Sequence, residues 1–259
     1  MSVSRRWRDL PGDPGLERTG FVSERGPYVG RCHVRPRRFA RDPALERLLG
    51  ELARGFGPQH WWPAETPFEV LVGAILTQNT AWANVERALA SLKARTRLTP
   101  GRLLALGEEE LAELVRSSGY FRVKAKKLRA LSEWYLGAGG LRALAETPLA
   151  RLRAELLDVW GVGPETADSI LCYGAGRRVA VVDAYTRRLL SRHGFLDAEL
   201  PYEEIRAWLE ERLLDSQAVY EEFHALTVRV GYDHCKPTPR CASCPATTPK
   251  DLAGGHRAQ

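Results

Sequence analysis

The stretch LLDVWGVGPETADSILCYG at residues 156–174, followed by VAVVD at residues 179–183, decides the predicted fold. Gly161 and Gly163 flank Val162 between two helical patterns, and a proline opens the second helix. Glycines let a backbone turn tightly and approach a ligand, and the amides of such a turn can donate to phosphate oxygens. The pattern predicts a helix–hairpin–helix that binds the DNA backbone, with Val162 packed inward to fix the turn. Taken alone, the four letters GVGP are more typical of a plain connection between two helices; the surrounding sequence favours DNA binding.

Asp183 ends the apolar run and begins the next helical pattern, where a carboxylate is a favoured N-cap. Capping alone would explain this residue. The two helices and the extended run, however, bring Asp183 back beside the hairpin, and a carboxylate at a helix N-terminus stays ionised. There it can stabilise positive charge that develops on a sugar, or it can orient a water. Asp183 is therefore the candidate catalytic residue.

The composition is that of a globular protein: 259 residues, 44% hydrophobic and 27% charged, with a net charge of +6. Residues 1–40 hold nine arginines against four acidic residues, so +5 of this charge lies there. That segment is also rich in glycine and proline, which predicts a flexible extension. Nucleic acid, if bound, is contacted either by this extension or by local features of the folded part.

The cysteines and the apolar runs indicate the cellular compartment in which the protein is expected. Three of the five cysteines lie within residues 235–244, and no apolar leader follows the basic N-terminus. This spacing favours a metal or cluster loop over disulfides. Because no run reaches the ~18 apolar residues of a membrane span, we expect a cytoplasmic protein with no membrane partner.

From Asp42 onward the hydrophobic period is helical almost throughout, so the predicted class is all-α. Asp42, Thr66, Thr99 and Thr147 are predicted helix caps. Helices are expected near residues 43–53, 68–78, 82–93, 100 onward, 108–117, 122–136, 149–159, 165–174, 184–193, 202–214 and 217–230. The domain prediction is an extension at 1–40, a helical lobe at 64–183, and a second lobe of 41–63 plus 184–259.

The hairpin with VVDAYT after it resembles the hairpin and catalytic aspartate of the endonuclease III-like (HhH-GPD) DNA glycosylases, over about residues 41–245. Three further blocks occur in the order of that family: LVGAILTQNT at 71–80, RVKAKKL at 122–128 and the cysteine loop. The resemblance implies the two-lobed HhH-GPD fold with a C-terminal cysteine loop. It also implies a DNA glycosylase that acts on double-stranded DNA with a flipped base. We expect a monomer that associates with the nucleoid.

Glu165 departs from the family pattern, because bifunctional members have a lysine there that attacks the sugar. A carboxylate cannot form a Schiff base, so the resemblance implies a monofunctional enzyme without the lyase step. Substitution by another amine, such as that of Lys124 or Lys126, stays open.

The cysteine loop departs as well. Cys235, Cys241 and Cys244 match three ligand positions, but the fourth, near Lys250, is not a cysteine. A [4Fe–4S] cluster normally needs four thiolates. A bound 4Fe-4S cluster, with a substitute ligand among the remaining cysteines and histidines, and a degenerate loop held by packing both stay open. The substitutes considered are Cys32, Cys172, His234 and His256.

The stretch WWPAETPFEVLVGAILTQNTAW at 61–82 resembles the 3-methyladenine DNA glycosylase III subset. There, aromatic residues before the first core helix and just after the QNT sequence sandwich the extruded base. The base pocket implied here is Trp61, Trp62, Pro63 and Trp82, with Glu165 beside it. An alkylated purine carries ring charge, so indole faces favour it through cation–π attraction. A single tryptophan is more typical of a core.

Further DNA contacts are predicted around this pocket. The resemblance implies that Gln78, with Asn79, fills the gap left by the flipped base; an ordinary helix end is the alternative. The basic run at 122–129, which includes Lys124 and Lys126, is predicted to contact phosphates, although such runs are often solvated faces. Thr166 and the hairpin residues complete the surface.

The predicted function is a monofunctional DNA glycosylase that hydrolyses the N-glycosidic bond of damaged bases in base excision repair. Alkylated purines such as 3-methyladenine are the expected substrates. Oxidised pyrimidines or mismatched thymine or uracil are alternatives within the class. A non-catalytic damage-binding protein would explain Glu165 and the missing cysteine, but Asp183 argues against it.

Overall fold

The computed structural model describes residue 36 and residues 38–246 of the chain. Twelve α-helices and no strands occur in this part, which confirms the predicted all-α class; Ala40 and Leu213 form an isolated bridge. The helices are α1 (Pro43–Phe56), α2 (Pro67–Leu76), α3 (Trp82–Arg95), α4 (Pro100–Leu104), α5 (Glu108–Leu114), α6 (Phe121–Ala138), α7 (Leu141–Glu146), α8 (Leu149–Leu157), α9 (Pro164–Ser169), α10 (Ala184–Arg192), α11 (Tyr202–Arg212) and α12 (Gln217–Asp233). Within the described residues, no helix has the length and apolar character needed to cross a bilayer.

Side-chain caps start several helices where the sequence predicts them. Asp42 accepts from the amides of Ala44 and Leu45, and the hydroxyls of Thr66 and Thr99 cap α2 and α4. Thr147 was expected to cap α8, but Pro148 takes the N-cap position and no side chain caps that helix. The prediction also missed α7, a short helix that follows two glycines with positive φ.

Helix α2 is the centre of the fold. Every residue from Phe68 to Leu76 is buried, as expected for a helix that is apolar nearly all round. It packs against α3, α6 and α9, and against a π-helical turn at Ile170–Gly174 that continues α9. Helix α2 ends at Leu76, and the turn after it carries Gln78. Hydrogen bonds of Gln78 join this turn to α6 and to the hairpin.

Two stretches between the hairpin and Asp183, residues 166–174 and 179–183, are buried. After the π-helical turn the chain runs extended through residues 179–182, which are exposed by 1% or less, and Asp183 then begins α10. Helix α10 packs on α12, and α12 also contacts the π-helical turn. This packing brings residues of α12 to the back of the Asp183 carboxylate.

The last two residues of the extension predicted at 1–40 pack against the helices that follow. Phe39 and Ala40 are 3% and 0% exposed, and both of their amides donate to Glu46 at 2.7 Å. The Leu214 amide donates to the Phe39 carbonyl at 2.8 Å, so the two residues belong to the folded core. Apart from Pro36 and Arg38, the rest of the predicted extension lies outside the described residues. The division into two lobes stays a prediction.

A buried ion pair ties the hairpin to α11. The Asp168 side chain is fully buried and accepts from Arg153 Nε at 2.7 Å and Nη2 at 3.0 Å. The Tyr202 hydroxyl donates to the same carboxylate at 2.9 Å. The pair therefore fixes α8 and α9, which flank the hairpin, relative to the rest of the fold.

Arg153→Ala should lower the free energy of unfolding by about 3–5 kcal/mol, because it leaves a buried carboxylate without its partner. Urea denaturation measures this change. Arg151→Ala is the matched control on α8, since that side chain is 76% exposed and its pair with Glu155 lies at the surface. Equal effects of the two substitutions would contradict the structural role assigned to the buried pair.

Candidate active site

Asp183 lies at the N-terminus of α10 and is 9% exposed. Its Oδ1 accepts from the Thr186 amide at 2.7 Å, and its Oδ2 is 3.7 Å from His224 Nε2. Burial acts to raise the pKa of Asp183, but the His224 imidazole and the Thr186 amide outweigh burial and hold this pKa below its ordinary value. The site therefore presents an ionised carboxylate.

Glu165 lies in the first turn of α9, and as a whole residue it is exposed to solvent. Protein atoms still crowd its carboxyl group, and this partial burial raises the pKa of Glu165; the nearby Asp183 carboxylate raises it further. His224 and Arg187 act in the opposite direction. Two carboxyl groups thus lie close together, and their pKa values are shifted in opposite directions.

The hairpin has the geometry that its sequence predicts. Gly161 has φ +87°, and a Cβ there would lie 2.4 Å from Lys127 Cγ, so only glycine fits at this close approach. Val162 is 7% exposed and packs inward, while Gly163 is exposed. Trp160, just before the turn, leaves 57% of its surface exposed.

Three tryptophans form one cluster. The ring centroid of Trp61 lies 5.6 Å from that of Trp62 and 4.6 Å from that of Trp82, and the Trp62 and Trp82 centroids are 5.3 Å apart. These are separations of rings in direct contact. A base therefore cannot lie between any two of them as placed, which corrects the expected sandwich. Half-buried Trp61 and Trp82 and exposed Pro63 keep accessible surface.

Trp62 connects this cluster to the protein interior. It is 9% exposed, and its ring centroid lies 5.3 Å from that of Tyr173 in the π-helical turn. Its Nε1 has no hydrogen-bond partner among the described residues and packs against Gly73 of α2, where a Cβ would lie 3.0 Å away. Gly73 thus makes room for the indole.

Comparison with known proteins identifies the family. Residues 72–214 match the HhH-GPD superfamily base excision DNA repair proteins. A Methanocaldococcus jannaschii protein named as a DNA repair glycosylase is 44% identical over 193 residues, which cover 73% of this chain and 88% of that protein. The chain belongs to the HhH-GPD superfamily. It is a DNA repair glycosylase with an endonuclease III-like fold.

Two solved structures of this superfamily resemble the chain. The H. pylori 3-methyladenine DNA glycosylase MagIII, bound to 1,N6-ethenoadenine, matches with a TM-score of 0.62 and 29% identity, over 73% of this chain and 95% of that one. An endonuclease III–DNA complex matches with a TM-score of 0.65 and 28% identity, over 76% and 89% of the two chains. DNA is accordingly the macromolecule that this HhH-GPD protein binds.

Gln78 is tied to the hairpin in this structure. Its Nε2 donates to the Gly161 carbonyl at 3.1 Å and to Thr166 Oγ1 at 2.9 Å, while its Oε1 accepts from Lys127 Nζ at 2.6 Å. The Thr166 side chain is therefore an internal partner rather than a surface contact, which corrects that prediction. Insertion of Gln78 into DNA stays a prediction and requires these bonds to break. Asn79 next to it is exposed, with φ 53°.

Lys124 was predicted to contact phosphate, and the structure corrects this. It is 2% exposed, and its Nζ donates to the carbonyls of Leu76 at 2.8 Å and Ser118 at 2.7 Å. Burial, aided by neighbouring Lys127, lowers the pKa of Lys124 to about 8. Its ammonium fixes the end of α2 beside the start of α6. Lys126 is exposed, with only a 3.8 Å contact to Glu108.

Sequence reasoning missed His224, which faces the Asp183 carboxylate. It was hidden because it lies in an apolar helix, 41 positions after Asp183. A polar residue on the buried face of α12 is the signal that could have drawn attention to His224.

The described part of the cysteine loop holds three of the four thiolates that a [4Fe–4S] cluster normally needs. Cys235 is buried, Cys244 is half-buried and Cys241 is exposed; no three metal-ligating side chains converge within the described residues. Arg188 and Arg192 of α10 instead donate to loop carbonyls, those of Cys235, Lys236 and Pro237. Cys32, Lys250 and His256 lie outside the described residues.

Gly73→Ala should displace Trp62, because the new methyl group would meet an indole that its neighbours hold on all sides. The expected cost is about 1–3 kcal/mol of unfolding free energy, as for other overpacked cores. Urea unfolding and tryptophan emission measure the effect. Gly137→Ala in α6 is the control, since nothing lies within 4 Å of its Cβ position and the change should be neutral or stabilising. A neutral Gly73→Ala would disprove the close fit.

The protein purified from iron-supplemented cells without exposure to air should lack both stoichiometric iron and the absorbance near ~400 nm of thiolate-bound clusters. Arg192→Ala should instead loosen the loop and speed its proteolysis. Arg229→Ala, an exposed change on α12, is the control. Stoichiometric iron would show that ligands beyond the described residues complete a cluster.

Proposed function

We propose that this glycosylase is monofunctional and hydrolyses the N-glycosidic bond of alkylated purines in double-stranded DNA, with 3-methyladenine as the first candidate. One observation carries the proposal. An ionised carboxylate and an aromatic surface are joined by a short series of buried contacts, from Asp183 through His224 and Tyr173 to Trp62. A base that stacks on the accessible faces of the half-buried Trp61 and Trp82 would then have its sugar near the carboxylate.

The chemistry of this class of substrate suits such a site. A purine alkylated on its ring is positively charged, so it is attracted to indole faces and leaves the sugar easily. The enzyme then needs little acid catalysis. Asp183 stabilises the positive charge that develops on the sugar and directs the attacking water. That the related MagIII is a 3-methyladenine glycosylase, seen with 1,N6-ethenoadenine, supports this substrate class.

The absence of a lyase step is part of the proposal. Glu165 stands where the resemblance expects the lysine nucleophile, and a carboxylate cannot form an imine. Lys124, one amine considered as a substitute, has its ammonium committed to two carbonyls. At the edge of the pocket, Glu165 instead adds a carboxyl group that favours a cationic base or accepts a hydrogen bond from it.

DNA binding follows the hairpin in this proposal. Exposed Gly163 and the Gly161 turn present amides to one strand, and Lys126 and Asn79 extend the contact along the same face. Gln78 leaves its hairpin partners as the base is extruded and fills the gap. The protein acts as a monomer on nucleoid DNA. The proposed reaction uses no cofactor.

A panel of lesion duplexes tests the function. The protein is incubated with methylated DNA and with duplexes that carry single 1,N6-ethenoadenine, thymine glycol, uracil or a G·T mismatch, and samples are analysed with and without alkali. We expect release of alkylated purines, with strand breaks only after alkali, because no amine attacks the sugar. Breaks without alkali would contradict the role assigned to Glu165.

Asp183→Asn is the matched variant for the same panel, since it keeps the shape and removes the charge. It should abolish base release while DNA affinity, measured by fluorescence anisotropy, stays close to that of the wild type. Preferential release of a pyrimidine would move the substrate to the alternative class. A fully active Asp183→Asn protein would remove this residue from the mechanism.

A further inference from the structure

The Asp183 carboxylate has a second partner that the sequence did not indicate. While Oδ1 accepts from the Thr186 amide, Oδ2 faces His224 Nε2 at 3.7 Å, and His224 is 6% exposed. A buried carboxylate without such partners is disfavoured in its charged form. His224 is therefore placed to keep Asp183 both ionised and oriented.

The far side of the imidazole is held by Tyr173. His224 Nδ1 lies 2.8 Å from the Tyr173 hydroxyl oxygen, which also lies 3.1 Å from the Glu221 carbonyl. If Tyr173 donates to Nδ1, neutral His224 carries its hydrogen on Nε2. If Tyr173 donates to Glu221, Nδ1–H of His224 donates to Tyr173, and the Asp183 carboxylate opposite Nε2 favours the imidazolium over a neutral ring with a lone pair there. Both arrangements direct an N–H from Nε2 to the Asp183 carboxylate.

The surrounding packing fixes this arrangement. The Thr227 hydroxyl donates to the His224 carbonyl at 2.8 Å, and Thr227 Oγ1 lies 3.2 Å from Thr186 Oγ1, so α12 is tied to the first turn of α10. The Tyr173 ring is fully buried and packs on Trp62. The same tyrosine thus supports the aromatic surface on one side and His224 on the other.

We propose that His224, held by Tyr173, is a positioning residue that keeps the Asp183 carboxylate ionised and aimed at the sugar. The inference rests on the proposed role of Asp183 in base release. His224 touches neither base nor sugar in this scheme and acts only through Asp183. Removing it should slow base release by about 10- to 100-fold, as small misplacements of catalytic groups do.

The dependence on pH gives a sharper signature than the rate alone. Base release needs the charged form of Asp183, so the rate falls as pH drops through its pKa. Without His224 the interaction that lowers this pKa is lost while burial remains, so the fall should occur at higher pH. The other titratable groups around the pair are Cys172, Glu165, Arg187, Glu221 and Glu222.

Single-turnover base release from methylated duplex DNA tests the inference. Rates are measured across pH for the wild type, His224→Ala, His224→Gln and Tyr173→Phe, after subtraction of release without enzyme. His224→Gln keeps an N–H donor and should recover part of the rate. Tyr173→Phe removes only the hydroxyl. It should also move the fall of the rate at low pH, the acidic limb of the pH profile, to higher pH. DNA affinity should not change.

Val230→Ala, a buried truncation on the same helix away from Asp183, is the control for stability alone. Its acidic limb should match that of the wild type. The inference would be overturned if His224→Ala released base more slowly but its rate fell at the same pH as that of the wild type, and His224→Gln recovered none of the rate. His224 would then have only a structural role. Unchanged rates would also overturn the inference. If His224→Ala does not fold, the acidic limbs of the pH profiles of His224→Gln and Tyr173→Phe test the inference.

Asp183→Asn separates this inference from the function on which it rests. An inactive Asp183→Asn beside a wild-type-like His224→Ala overturns only the inference. An active Asp183→Asn, or a wild-type protein that releases no base from any duplex, overturns the proposed function and the inference together.

Discussion

The buried carboxylate of Asp183 is the constraint to which the surrounding structure is fitted. A charge with 9% exposure needs hydrogen-bond donors, and a helix N-terminus supplies one through the Thr186 amide. The apolar run before Asp183 anchors the residue in the core, and α12 must pack against α10 to bring His224 to the other oxygen. The packing of α12 on α10 thus places a donor beside each oxygen of this carboxylate.

The DNA-facing surface is held together in a related way. Gln78 bonds to both sides of the hairpin through Gly161 and Thr166, and Lys127 bonds to Gln78 while its stem packs under Gly161. The end of α2, the start of α6 and the hairpin are therefore one hydrogen-bonded unit. If Gln78 inserts into DNA as proposed, three internal hydrogen bonds must be exchanged for bonds to DNA, and base flipping would be coupled to hairpin docking.

Features that depend on residues close together in the sequence could be predicted. Contacts between residues far apart in the sequence could not. The caps at Asp42 and Thr66 depend on neighbours in the chain, and the burial of α2 follows from its composition. The burial of Lys124 also had a signal, because it lies four residues before Leu128 on the inward face of α6. Nothing local indicates that His224 meets Asp183, and ring separations in the tryptophan cluster depend on how α2, α3 and the loop pack.

The neighbouring carboxyl groups of Glu165 and Asp183 show how one site separates two roles. Both are acidic and close together, but Asp183 has an amide and an imidazole as partners, whereas Glu165 has partial burial and a like charge beside it. The pKa of Asp183 is lowered and that of Glu165 is raised, so Asp183 ionises at a lower pH than its neighbour. In the proposed mechanism, this difference leaves Asp183 to stabilise the developing sugar cation and Glu165 to contact the base.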